Sequence, residues 1–93
     1  MHAARKGRRR EWQSRRLLEA QGFYVCRAGG SLGLWDLVAI GPNGFAVCQV
    51  KSNRPPSPAE RAALAAFPCP ANCERLIHVW HDHKRGGPRV TVL

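Results

Sequence analysis

The feature that most constrains the fold is the turn Gly41-Pro42-Asn43-Gly44. It sits between two apolar runs, Trp35-Asp36-Leu37-Val38-Ala39-Ile40 and Ala46-Val47-Cys48-Gln49-Val50-Lys51. Runs of this length around a Pro-Asn-Gly turn predict a β-hairpin. With the turn centred on Pro42 and Asn43, Asp36 and Gln49 stand at equal distances from it. They therefore face each other across the ladder, with Cβ atoms about 4.5–5.5 Å apart. Strand alternation puts Lys51 on the face of Gln49. An acid, an amide and a lysine then converge on one patch that could hold a metal ion and a phosphate.

The rest of the chain reads as αβββαββ. Residues 8–21 contain no Gly or Pro, are rich in Arg, Glu, Leu and Gln, and stop at Gly22, which predicts a first helix. At about 100° per residue, Ser14, Leu17, Leu18 and Gln21 share one side, with Glu11 at its margin facing the sheet edge. Residues 23–27 predict a strand and 28–33 a loop. After the hairpin, Ser57-Pro58-Ala59-Glu60 is a capping box with proline at the first helical position, opening a helix that ends near Phe67. Strands are predicted at 75–80 and 89–93, with turns between.

Ninety-three residues bound the chain to a single domain spanning 1–93, and 44% hydrophobic residues suffice for a modest core. No apolar run approaches the ~20 residues of a membrane span, and the basic N-terminus lacks the apolar segment of a signal peptide. The expectation is a cytoplasmic protein, not bound to membranes, with four reduced cysteines. A net charge of +9 points to a polyanion, with nucleic acid the expected partner. Arg5, Lys6, Arg8, Arg9, Arg10, Arg15 and Arg16 crowd the first sixteen positions, so residues 1–10 are expected to act as a basic, flexible arm.

Lys6-Gly7, Glu11, Gly22-Phe23, Arg27, Gly30-Ser31, Asp36-Leu37-Val38-Ala39 and Gln49-Val50-Lys51 together resemble the PD-(D/E)xK nuclease superfamily. Within it, they are similar to the archaeal-type Holliday junction resolvases. The similarity covers residues 6 to about 53, and the remainder matches by element order only. The resemblance implies an α/β fold, a restriction-endonuclease-like αβββαβ core with a mixed central sheet flanked by helices. It further implies a Mg²⁺-dependent DNA endonuclease, with Mn²⁺ as a possible substitute, acting as a homodimer on branched DNA. By the same resemblance, Arg27 would contact DNA and Ser31 would support catalysis. Arg54, together with Arg5, Lys6, Arg8, Arg9 and Arg10, completes the expected DNA-binding set.

The chemistry agrees with that assignment. Mg²⁺ prefers hard oxygen ligands, which Asp36, the Gln49 side-chain carbonyl and the Val50 backbone carbonyl supply, with Glu11 approaching from the helix. Lys51 would orient the attacking water or offset transition-state charge. The family usually places Glu where this chain has Gln49, which removes one negative charge from the metal site. The same features leave open a nuclease for other branched or duplex DNA, and a non-catalytic DNA-binding relative.

Other residues have plainer readings. Glu11 could pair with Arg15 at i+4, and Glu60 is explained by its cap. Cys69 and Cys73 with His78, His81 and His83 suggest zinc at first sight, but lack a second matching pair; packed cysteines and surface histidines explain them better. Cys26 and Cys48 are expected in the core. Trp12, Trp35 and Trp80 are expected to anchor packing, with Trp35 able to touch DNA.

Overall fold

Strand β1 (Tyr24–Arg27) pairs antiparallel with β2 (Leu37–Gly41), which turns through Pro42 and Asn43 into β3 (Gly44–Ser52) in a computed structural model describing residues 2–28 and 33–93, with side chains from residue 7 onward. The hairpin register is the predicted one, with Gly41 opposite Gly44 and Leu37 opposite Cys48. β4 (Cys73–Trp80) runs parallel to β3, and β5 (Arg89–Val92) closes the other edge antiparallel to β4. The sheet is thus mixed, in the order β1-β2-β3-β4-β5.

Helices α1 (His2–Ala20) and α2 (Pro58–Ala66) cover opposite faces, because neighbouring strand residues alternate between two cores. Leu18 of α1 packs with Val25, Leu37, Ala39, Ala46, Cys48 and Leu76. Leu64 of α2 packs with Trp35, Val47, Ile77 and Val79. Each fully buried Leu or Ile contributes about 1.5–3 kcal/mol relative to exposure. The α2 capping box forms as the sequence predicts: Ser57 Oγ accepts from the Glu60 N–H, and the Glu60 carboxylate accepts from the Ser57 N–H, both at 3.1 Å.

Several expectations change. α1 starts at His2 rather than near residue 8, since 2–6 are adequate helix formers and a single interior Gly7 costs only about 1 kcal/mol. Cys26 is exposed, because β1 is an edge strand that turns only Val25 into the core. His78 is no surface histidine: it is buried beneath α1, its Nδ1 2.9 Å from Ser14 Oγ. Trp80 Nε1 also donates to that hydroxyl, at 2.7 Å. Trp35 is buried edge-to-face against Phe67 and anchors packing as expected, whereas Trp12 is exposed and does not.

Two devices fix the C-terminal end of β3. Asn53 takes φ +67°, a region Asn tolerates, and its amide oxygen accepts from the Asp82 N–H while its Nδ2 donates to the Asp82 carboxylate. Arg10 then reaches from α1 to the other Asp82 oxygen at 2.9 Å. At the opposite end, the Phe45 N–H bonds the Asn72 carbonyl, and Gly44 lies so close to Asn72 that a Cβ there would collide with that carbonyl.

Candidate active site

The candidate residues gather at one end of the sheet. The β2 ladder ends at Leu37 opposite Cys48, one residue before the predicted Asp36–Gln49 pair. Instead, the Asp36 N–H bonds the Cys48 carbonyl at 2.9 Å, and the Asp36 carboxylate accepts the Val50 N–H at 2.7 Å. Asp36 therefore grips β3 on both sides of Gln49. Burial pushes the Asp36 carboxyl above the usual range, against the lowering effects of the Val50 N–H, Lys51 and Arg27. A half-buried acid whose ionised form is under-stabilised is suited to receive a cation.

Gln49 is buried, and its Nε2 donates to the Leu34 carbonyl at 3.3 Å. A carbonyl can only accept, so this bond fixes the amide orientation. Among the described residues, Gln49 Oε1 is left buried with no hydrogen-bond partner. Such an atom is costly unless something binds it. Among the same residues, Trp35 Nε1 is likewise unpartnered.

Lys51 follows on the α2 face, with Nζ 3.6 Å from Glu60 Oε2. Among the described residues it makes no ion pair with Asp36 shorter than 4 Å, yet its charge acts on the Asp36 carboxyl. The contact with Glu60 was not legible in the sequence, where the cap already accounts for that residue.

Glu11 reaches the sheet edge as expected, but its Oε1 takes Arg27 Nε at 3.1 Å. The alternative Glu11–Arg15 pair does not form, since Arg15 bonds Glu19. Arg8, Arg9 and Arg54 are exposed. Arg10, expected on DNA, is instead buried: it pairs with Asp82, donates to Gln13 and stacks 5.5 Å from the Trp80 ring centroid. Ser31 lies outside the described residues, as do the side chains of Arg5 and Lys6.

Among the described residues, no three His, Cys, Asp and Glu side chains group to hold a metal. A cation at this end of the sheet would need the Gln49 oxygen and a backbone carbonyl beside Asp36. A separate cavity of about 350 Å³ lies at the hairpin-turn end, lined by Phe23, Pro42, Asn43 and Asn72, and contains none of the candidate residues.

The chain matches no known protein-family profile and no curated protein by sequence. In three dimensions it is similar to a Holliday junction resolvase from the archaeal hyperthermophile Archaeoglobus fulgidus. The TM-score is 0.71 at 22% identity, over 90% of this chain and 73% of the resolvase. The resemblance to the archaeal-type resolvases thus holds at the level of the fold, a restriction-endonuclease-like α/β architecture.

Proposed function

We propose that this protein is a metal-dependent DNA endonuclease that cuts branched DNA, with the four-way junction as its preferred substrate and two copies acting together. The observation that carries the reading is the buried Gln49 Oε1, unpartnered among the described residues and bracketed on β3 by the two hydrogen bonds of Asp36. That donor set fits a hard divalent cation, Mg²⁺ with Mn²⁺ as substitute, held by Asp36, Gln49 Oε1 and the Val50 carbonyl, with Glu11 completing the site. Such an ion polarises a phosphate and lowers the pKa of bound water.

The chain's own residues supply the rest. Asp36, anchored on the Val50 N–H, presents a carboxylate whose position does not depend on a flexible side chain. Lys51 places a positive charge at the same end of the sheet, where it orients water or offsets charge developing on the phosphate. Arg8, Arg9 and Arg54 are exposed cations available to DNA phosphates, with Arg5 and Lys6 on the same basic segment. Arg27, exposed but paired with Glu11, would reach a phosphate only by exchanging that partner, which would also release Glu11 for the cation. The fold shared with a junction resolvase supports this substrate. Among the described residues, no helix is long and apolar enough to cross a membrane.

The test is cleavage of an end-labelled four-way junction and the matched linear duplex with Mg²⁺, Mn²⁺ or EDTA, beside Lys51→Ala. Paired symmetric nicks confined to the junction, requiring metal and Lys51, are expected. Equal metal-dependent cutting of duplex would make the protein a general endonuclease. Binding without cutting would make it a non-catalytic relative whose site Gln49 has disabled.

A further inference from the structure

Trp12 exposes 60% of its surface on α1, although the same helix has a buried face at Ser14 and Leu18 where an aromatic ring could have packed. An exposed indole contributes little to folding and leaves a large apolar surface in water. Its surroundings are cationic. The Arg16 guanidinium lies 5.6 Å from the ring centroid, and Arg8 and Arg15 stand four residues before and three after it on the helix. Arg15 is engaged by Glu19 and Arg27 by Glu11, while among the described residues Arg8 has no ion-pair partner.

The ring also lines a cavity of about 260 Å³ whose other walls are Arg8, Glu11, Arg15, Arg27 and Leu37. This is below the ~300–1,000 Å³ range of drug-sized ligand sites, and suits a single planar ring system with an attached phosphate at its rim. Arg27 lines this cavity, and its charge also acts on the Asp36 carboxyl, so the cavity shares a wall with the candidate site.

We infer that Trp12 is a stacking platform for one nucleobase whose face is not covered by a stacked neighbour, held at its phosphate by Arg8 and Arg16, and that this contact distinguishes open or branched DNA from continuous duplex. The inference rests on the reading of the chain as a DNA-cutting protein and deepens it. A base inside a duplex has both faces covered by its neighbours and offers nothing to an indole on a helix surface. A base at a branch point or in a single strand has an open face, and stacking on an aromatic ring is worth about 1–3 kcal/mol per base. Arginine adds charge to the contact without sequence preference.

The experiment uses the full chain and three probes: oligo-dT, a four-way junction, and a dumbbell duplex whose ends are closed by loops outside the footprint. Trp35 is buried and Trp80 is half-buried against Ser14, so the solvent-exposed emission belongs to Trp12. Oligo-dT and the junction should quench that emission, and the dumbbell should not. Trp12→Ala should weaken binding of oligo-dT and the junction by about 5- to 150-fold. It should change dumbbell affinity less than twofold and leave Tm unaltered, and Trp12→Phe should restore most of the binding. Equal weakening on all three probes, or none on any, overturns the stacking site while leaving the nuclease reading intact if wild-type cleavage persists. Emission that shifts with protein concentration in the absence of DNA would assign the ring to a contact between copies and also overturn it. A wild-type protein that neither binds nor cuts any probe would remove both readings.

Discussion

Lys51 Nζ lies 3.6 Å from the carboxylate of Glu60, the same carboxylate group that closes the capping box of α2. One side chain thus starts a helix and holds the lysine of the candidate site. Ser57 and Lys51 together keep the Glu60 carboxyl below its usual range, the Ser57 N–H having the larger effect. Glutamine also satisfies a capping box, so Glu60→Gln separates the two roles. We expect Glu60→Gln to leave Tm unchanged and to lower kcat on the junction by up to about 10-fold with KM unaffected, because Lys51 loses its orienting partner. An unchanged kcat, or a decrease matched by a fall in Tm, would limit Glu60 to capping.

The Asp36 carboxyl titrates above its ordinary value because burial outweighs its favourable partners. The folded state therefore holds that proton more tightly than the unfolded chain. In metal-free protein, stability should decline as pH rises through the Asp36 titration. Asp36→Asn keeps an oxygen for the Val50 N–H and removes the charge. We expect it to be at least as stable as wild type without metal, to gain nothing from Mg²⁺, and to be inactive, whereas Mg²⁺ should raise the wild-type Tm. Thermal scans with and without Mg²⁺ decide this. A Mg²⁺-dependent rise in Tm for Asp36→Asn would place the ion elsewhere.

Gln49→Glu bears on the departure from the usual acidic residue. A carboxylate in this position would lose the bond to the Leu34 carbonyl and face that oxygen instead. It would also add a charge worth about 4 kcal/mol of gross attraction to a unit charge at ~4 Å. We expect a lower Tm in EDTA and at least a ~10-fold fall in the Mg²⁺ concentration for half-maximal cleavage. An unchanged Mg²⁺ dependence would mean that position 49 does not meet the ion.

Much of this arrangement was legible in the sequence because it is local. The Pro42-Asn43 turn sets the hairpin register, and the capping box sets the start of α2. What was not legible depends on distant partners. The last rung of the hairpin does not form because the Asp36 carboxylate takes the Val50 N–H, a side-chain choice that alternation does not describe. In sequence Arg10 is indistinguishable from its basic neighbours, and what brings it inside is distant: Asp82, 72 residues away, and the Trp80 ring. His78 and Cys26 depart from expectation for related reasons: α1 covers the first, and an edge strand exposes the second.

The basic segment should accordingly divide. Arg10→Ala removes a buried partner of Asp82, which is itself partly exposed, so the cost falls below the ~3–5 kcal/mol of a fully buried pair, at about 2 kcal/mol. Arg8→Ala and Arg9→Ala, both at exposed positions, should leave urea midpoints unchanged. They should weaken DNA binding and reduce the salt slope by about 1 for each phosphate no longer neutralised. Salt-dependent binding and urea titrations on the three variants check this. An Arg8, Arg9 double variant with the wild-type salt slope would remove those residues from the DNA interface.

His78 predicts how the fold responds to acid. Trp80 Nε1 donates to Ser14 Oγ, and the hydroxyl can in turn donate to His78 Nδ1, which leaves the ring proton on Nε2 and the ring neutral. Burial lowers the pKa of His78 to about 4 from the 6.5 of an unhindered histidine. The unfolded chain therefore binds a proton through a window in which the folded one does not. The stability gained from a neutral His78 is complete above about pH 6.5 and is lost as pH falls towards 4, by at most about 3 kcal/mol. Urea midpoints measured from pH 7 to 4 should fall across this window, and His78→Gln, which cannot titrate, should flatten the slope. A His78→Gln profile as steep as the wild type would assign the acid sensitivity to the carboxylates instead.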